Sequence, residues 1–374
     1  MLSENWRNLN YNPKLILKST LDTNQKKFVK DCINYDIIIK NVGNIIIHNI
    51  NISDLLYNNQ HILERKSYNI DRLIIGESRS FSTQLNQFLL EDIYTHQVRA
   101  TCNELNFTLD TPLITIIADM PIYIADAKNH KIYKYNMLGE LKLIFRSANP
   151  YGLVVDKLNC VYVSDSYSNI VYKYTQDGHL LNILNNNFYF PSGLAIDDNN
   201  NLYVVDTFNY KIQKFTSSGM FMYELEFPNI FNIAYGICLD KNNNIYVTDI
   251  DKGVIHIIST NTSNHKFLTN NNNSELFMKP HAICTDSNNN IYVLDTNRSQ
   301  VKKYDSNYNL ILVFGGYGSQ ENKFKRPQGI CIDRFDNIYI ADTYNNKVKK
   351  FNSNGVFITQ FKAIPGLISA ISTV

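Results

Sequence analysis

Acidic side chains recur in this sequence at a fixed offset. Asp156, Asp197, Asp240, Asp286 and Asp333 each precede a second aspartate, Asp165, Asp206, Asp249, Asp295 or Asp342, by nine residues. Two carboxylates can serve as general acid and base or hold calcium. Here the two sets fall at opposite ends of a hairpin, so their recurrence assigns them to turns, where carboxylates accept hydrogen bonds from backbone amides. A second candidate is Arg72-Leu73-Ile74-Ile75-Gly76-Glu77-Ser78-Arg79-Ser80, a strand running into Gly-x-Ser. The six cysteines, Cys32, Cys102, Cys160, Cys238, Cys284 and Cys331, contain no C-x-x-C pair and no zinc-ligand spacing. Cys238, Cys284 and Cys331 share one repeat position, which makes them small core residues and fits a reducing, cytoplasmic-type compartment. No catalytic residue, metal or cofactor is assigned.

The elements that position these groups repeat. The unit reads PYGLVVDKLNCVYVSDSYSNIVYKY from Pro150, PSGLAIDDNNNLYVVDTFNYKIQKF from Pro191, AYGICLDKNNNIYVTDIDKGVIHII from Ala234, PHAICTDSNNNIYVLDTNRSQVKKY from Pro280 and PQGICIDRFDNIYIADTYNNKVKKF from Pro327, with an earlier degraded copy from Ile114. The second aspartate of each copy falls at Asp126, Asp165, Asp206, Asp249, Asp295 and Asp342, at intervals of 39, 41, 43, 46 and 47 residues. Each copy resolves into four strands. Gly193–Ile196 and Leu202–Val205 are nearly all apolar, as doubly buried strands are. Lys211–Phe215 alternates polar and apolar as a half-exposed strand does, and Met220–Leu225 follows a Ser-Ser-Gly turn as the outer strand. Asp197–Asn201 supplies a hairpin loop whose Asp and Asn side chains bond the backbone and tolerate positive φ. Six such units predict an all-β fold, a six-bladed β-propeller that shields its sheet edges in a ring. The recurring tyrosines Tyr123, Tyr162, Tyr203, Tyr246, Tyr292 and Tyr339 fill the gaps between sheets. Leu113–Ile117 and Leu367–Val374 are both candidates for the strand that completes the first blade.

Pro-x-Gly-Ile-x-x-Asp, then Asn-x-Tyr-Val-x-Asp, then Asn-x-x-Lys-Val-x-Lys-Phe closely resemble the NHL-repeat family of six-bladed propellers, over about residues 112 to 361. Propellers of this kind carry binding, lyase and hydrolase functions on one scaffold, so the resemblance implies the fold and leaves activity to the site. In the peptide-amidating lyase, an NHL-like propeller, histidines from different blades hold zinc; Pro280-His281-Ala282-Ile283 looks similar to one of those segments. The matching positions elsewhere are Tyr151, Ser192, Tyr235 and Gln328, so a single imidazole stands where a zinc site takes roughly three. His130 shares that face in a different loop, whereas His179 and His265 fall on the opposite side. The Gly-x-Ser segment resembles the nucleophile segment of SGNH-type esterases, but that family needs a larger α/β domain than the N-terminal region provides, and Ser78 reads as a loop or cap residue.

In four-stranded blades, the loops entering strand one and those joining strands two and three open on one face around the channel mouth. That face carries Tyr151, Tyr167, Phe208, Tyr210, Tyr235, His281, Asn297, Arg298, Arg326, Gln328, Tyr344 and Lys347. Aromatic, amide and basic groups together make a peptide- or protein-contact surface, so the expected function is a non-catalytic binding scaffold with a protein or peptide partner. Two alternatives carry specific residues. One is a channel-mouth enzyme or small-ligand binder centred on His281, Tyr151, Tyr235, Arg326 and Gln328. The other is a single-stranded RNA binder, as some NHL propellers of tripartite-motif proteins are, using the basic last two blades. Residues 150–278 contain 7 basic and 12 acidic residues, whereas 279–374 contain 12 basic and 7 acidic, with Lys302, Lys303, Lys347, Lys349 and Lys350 the densest group.

The whole chain of 374 residues carries 36 basic and 34 acidic side chains, a net charge of +2 that gives no overall pull toward nucleic acid or anionic membrane. It has no uninterrupted apolar run near twenty residues, and its start lacks a secretory-type apolar stretch. Residues 1–111 lack the repeat. There, 34–47 reads as a hairpin and 84–93 as a short amphipathic helix, predicting a small α+β region or a degenerate extension of the ring ahead of the propeller at 112–374.

Overall fold

A computed structural model describes residues 15–19, 33–43, 46–58, 61–85, 93–102, 107–110, 114–117, 121–136, 138–259, 265–269, 276–363, 366 and 368–373. The chain divides into two compact units, Met1–Met120 and Pro121–Val374. Regular structure among the described residues is β-strand apart from two single-turn 3-10 helices, Thr207–Asn209 and Thr343–Asn345.

The described part of the first unit is made of strands. Ile33–Asn41 lies between Leu15–Ser19 and Ser78–Leu85, all antiparallel. Ile47–Asn58 pairs with His61–Leu73 and with Ile93–Cys102, which also holds Phe107–Asp110 and Ile114–Ile117. The expected 34–47 hairpin does not form, because each of its halves finds a longer partner. Asn41 is held instead by Glu77, through Asn41 N to Glu77 O at 3.0 Å, after a turn with Gly76 at φ 80° returns the chain alongside it. Of the expected helix, Gln84 and Leu85 end one strand and Ile93 begins another, while 86–92 lie outside the described residues. Ser78 is exposed at the start of a strand, just after that turn. The core of this unit gathers Ile37, Ile39, Ile50, Ile52, Leu56 and Val98.

The described residues of the second unit form six four-stranded antiparallel sheets. Five run outward in sequence order, as in Pro191–Ile196, Leu202–Asp206, Lys211–Phe215 and Phe221–Glu226 of the third sheet. The first sheet is completed by the chain's end: Ile368–Thr373 pairs with Ile122–Asp126, with Ile368 opposite Asp126. The inner strands Pro150–Val155, Pro191–Ile196, Ala234–Leu239, Pro280–Thr285, Gly329–Ile332 and Ile368–Thr373 neighbour one another in that order, and the last also neighbours the first. Of the two candidate closing strands, Ile114–Ile117 belongs with the first unit and Ile368–Thr373 closes the circuit.

Close approach explains the Pro-x-Gly motif. A Cβ on Gly152 would lie 2.0 Å from Ser192 O, and one on Gly193 would lie 2.2 Å from Tyr235 O, so these two inner strands require a bare backbone where the next one crosses them. Hydroxyls then tie the sheets together. Ser166, Thr207, Thr296 and Thr343, each directly following a second aspartate, donate to Pro191 O, Ala234 O, Pro327 O and Ile368 O of the neighbouring sheet at 2.6, 2.9, 2.7 and 3.2 Å. The six repeat tyrosines are at most 3% exposed, consistent with their filling of the space between sheets.

Candidate binding site

The aspartates are structural in both sets. Asp197 Oδ1 accepts the amides of Asn199 and Asn201 at 3.0 and 2.8 Å, and Asp156, Asp240, Asp286 and Asp333 bond the same two positions of their loops. Each second aspartate is fully buried. Asp206 takes the amide of Tyr189, Asp249 that of Asn232, Asp295 that of Met278 and Asp342 that of Lys325, so this carboxylate fixes the loop that leads into its own inner strand.

What faces that carboxylate from the third strand differs from sheet to sheet. It is Gln213 to Asp206 at 2.7 Å, His256 to Asp249 at 3.2 Å, Lys302 to Asp295 at 3.2 Å and Lys349 to Asp342 at 2.9 Å. The third strands are therefore not half-exposed: Gln213 and Lys349 are fully buried, because a buried acid pulls a polar partner under the loop. The electrostatics follow the partner. Burial raises the Asp206 carboxyl above its ordinary range, outweighing its bonds from Asn209, Tyr189 and Gln213 and the charge of Lys211. Asp249 is buried too, but the His256 bond and the amides of Lys252, Asn232 and Ile233 outweigh that and bring it down to about 2. His256 Nδ1 in turn meets His265 Nε2 at 3.0 Å, and burial, His256 and Lys252 lower the His265 imidazole.

The same geometry draws the densest lysines of the basic sector onto carboxylates. Lys303 and Lys350 lie 5.0 Å over the rings of Tyr292 and Tyr339 and reach Asp286 and Asp333 at 3.5 and 3.6 Å. Lys302 and Lys349 are buried on their aspartates, and Lys347 bonds Gln360 Oε1 at 3.2 Å. Four of these five lysines are thus paired with carboxylates, and Lys347 keeps its charge beside a neutral amide.

At the mouth, one position at the start of each inner strand supplies Tyr151, Ser192, Tyr235, His281 and Ser369, and Gln328 just ahead of Gly329–Ile332. Tyr151 and Tyr235 meet edge to face with centroids 5.6 Å apart, over the small Ser192 between them. Tyr235 lies 4.3 Å from the His281 ring, whose Nδ1–H donates to Gln328 O at 2.9 Å. That bond fixes the tautomer, and burial lowers the imidazole to about 4, leaving a neutral ring with Nε2 as acceptor. Burial also keeps the Tyr235 phenol protonated. Beneath these groups the six inner strands enclose a cavity of 310 Å³.

Of the expected face residues, Tyr151, Tyr235, His281 and Gln328 come together. Phe208 joins them through Phe190, which is 5.1 Å from Phe208 and 5.4 Å from Tyr151. Tyr167 (75% exposed), Tyr210 and Asn297 are open to solvent, and Arg326 stacks 5.3 Å over the exposed Tyr344. Arg298 is diverted to Asp295 Oδ2 at 2.8 Å and Leu276 O at 3.0 Å, and Lys347 to Gln360, so both serve the scaffold. Sequence reasoning did not place Phe190, Tyr189, Ser192 or Ser369 in the site. Phe190 precedes Pro191 as Arg326 precedes Pro327, and both hold positive φ, 61° and 44°; that shared position was the available signal. Ser369 carried none, since the closing strand lacks Pro-x-Gly. Among the described residues no group of three or more His, Cys, Asp and Glu side chains is arranged to hold a metal ion. His130 is exposed and bonds Ala148 O, away from His281's partners.

The family model for the NHL repeat matches residues 188–215, 277–304 and 324–351. No curated protein matches the sequence. Among solved structures, a streptogramin B lyase aligns with a TM-score of 0.51 at 16% identity, over 65% of this chain and 80% of that one. A protein of unknown function from Bacteroides caccae aligns at 0.55 and 14%, over 69% and 99%. Another, from Bacteroides thetaiotaomicron VPI-5482, aligns at 0.56 and 13%, over 92% and 89%. Such identities establish a shared β-propeller fold. No helix among the described residues is long and apolar enough to cross a membrane.

Proposed function

With NHL repeats in its sequence and a β-propeller for its fold, this chain is, we propose, a non-catalytic scaffold of six blades that holds a peptide or protein partner at the mouth of its channel. The reading is carried by one observation, the unbroken run of rings Tyr189–Phe208–Phe190–Tyr151–Tyr235–His281, in which successive centroids lie 4.3 to 5.6 Å apart. Rigid aromatic groups present large contact area at little entropic cost, which is why they anchor interfaces. Two of the rings are well exposed, Tyr189 at 57% and Phe208 at 38%, so the run opens at the rim and descends to the mouth. Arg326 on Tyr344 adds a cationic rim across from it.

Selection of displayed peptides on the full-length protein tests this. Enriched peptides should lose at least about tenfold in affinity, or 1.4 kcal/mol, on Phe208→Ala or Tyr151→Ala and keep it on Val313→Ala at an outer strand. Equal affinity for all three variants, or no enrichment, would refute the proposal.

A further inference from the structure

The cavity below the mouth is unlike the rest of this polar, Asp-rich chain. Its upper ring is neutral throughout: two tyrosines, two serines, a glutamine and an imidazole that burial holds uncharged. Its wall exposes Val154, Ile196, Leu239 and Ile332, each half-buried, together with the thiols of Cys238, Cys284 and Cys331. None of the lining residues is an acid, a lysine or an arginine. The aspartates of the inner hairpins are tied into their loops, and the second set is sealed under its amides. At 310 Å³ the space is at the lower limit of small-molecule pockets, room for one large side chain and not for a folded segment.

We propose that this cavity receives a single uncharged apolar side chain of a peptide partner, which plugs the channel while the aromatic run holds the flanking backbone. This rests on the reading of the face as a binding surface and adds what that surface selects. A charged side chain would leave its hydration for a site with no counter-ion, whereas an apolar one exchanges water for the Leu and Ile wall. The imidazole Nε2 and the tyrosine hydroxyls lie where the peptide's own amides enter, supplying polar contacts at the rim.

Three thiols make the test direct, because Cys238, Cys284 and Cys331 are free and line the cavity. The full-length protein is labelled with N-ethylmaleimide, and modification of each cysteine is followed by peptide mass spectrometry, with Cys160, outside the cavity, as internal reference. N-acetyl-leucinamide and N-acetyl-tryptophanamide should slow labelling of the three thiols about threefold at twice their dissociation constants and leave Cys160 unchanged. N-acetyl-lysinamide and N-acetyl-glutamic acid amide should not, and a cationic methanethiosulfonate should label the three, relative to Cys160, far more slowly than neutral methyl methanethiosulfonate does. Burial pushes all three thiols well above the usual range, so labelling is followed over long exposures at alkaline pH; equal protection by charged and apolar amides, or protection by neither, would each overturn the inference. Displayed peptides that bind the mouth yet leave all three thiols labelled at the free rate would overturn it while sparing the binding face.

Discussion

Lys349 Nζ lies 2.9 Å from Asp342 Oδ2, with both side chains sealed from solvent. The same two positions hold Lys302 and Asp295, His256 and Asp249, and Gln213 and Asp206 in other sheets. One repeat position thus offers a buried acid three kinds of partner, lysine, histidine and glutamine, which is a natural substitution series. Lys349→Met would strand the Asp342 charge and cost roughly 3–5 kcal/mol. Lys349→Gln, which borrows the pair of the third sheet, should cost clearly less. Chemical denaturation of the two variants checks the order; equal losses would mean that the amine is packing, not pairing.

Acid stability should separate by residue. For Asp249 the folded value of about 2 lies below the ordinary 3.8, so its contribution is complete above pH 4 and disappears as pH falls through 2. The Asp206 carboxyl is shifted upward, so its protonation favours the fold, and that benefit is lost as pH rises through the folded value. Asp249→Asn should therefore flatten the acid limb of the stability curve, and Asp206→Asn should leave that limb unchanged while costing stability at every pH, because its NH2 faces a donor from Tyr189, Asn209 or Gln213. Melting curves across pH 2 to 7 distinguish them.

His281 is lowered from 6.5 to about 4, so the neutral ring stabilises the fold above pH 6.5 and that stability drains away between 6.5 and 4. His281→Gln, the residue at the matching position of the sixth sheet, should abolish roughly 2–3 kcal/mol of the loss between pH 7.5 and 4.5. An unchanged slope in that variant would mean that the ring is solvated.

Tyr292 is fully buried, and its hydroxyl donates to Asp286 Oδ2 at 3.1 Å with Lys303 over its ring. Tyr292→Ala should destabilise by roughly 3–5 kcal/mol. Gly193→Ala should cost roughly 1–3 kcal/mol through crowding against Tyr235 O, although the fifth sheet tolerates Ala282 at that position. A neutral Gly193→Ala would show that the inner strands can move apart.

Strand positions were legible in the sequence because a 39- to 47-residue repeat carries its own register: the third sheet's strands fall within a few residues of the expected ones. The direction of polar side chains was not. Lys302 and Lys349 sit in alternating strands that look amphipathic, and only the depth of the facing aspartate, a long-range property, draws them inward. The mouth was half legible, since Tyr151, Tyr235, His281 and Gln328 share one repeat position. Ser369 closes the set from a strand whose motif is absent, and Arg298 belongs to the scaffold because Asp295 lies three residues before it. The N-terminal strands misled because pairing there is decided by tertiary partners and not by adjacent sequence.

The binding face can be located by hydrogen–deuterium exchange of the full-length protein with and without a selected peptide. Slowed exchange should concentrate at 189–193, 208–210, 234–236 and 280–282, where the aromatic run meets the inner strands. Protection confined to the outer strands, such as Leu180–Leu184 or Leu310–Gly315, with the mouth exchanging at its free rate, would contradict the account.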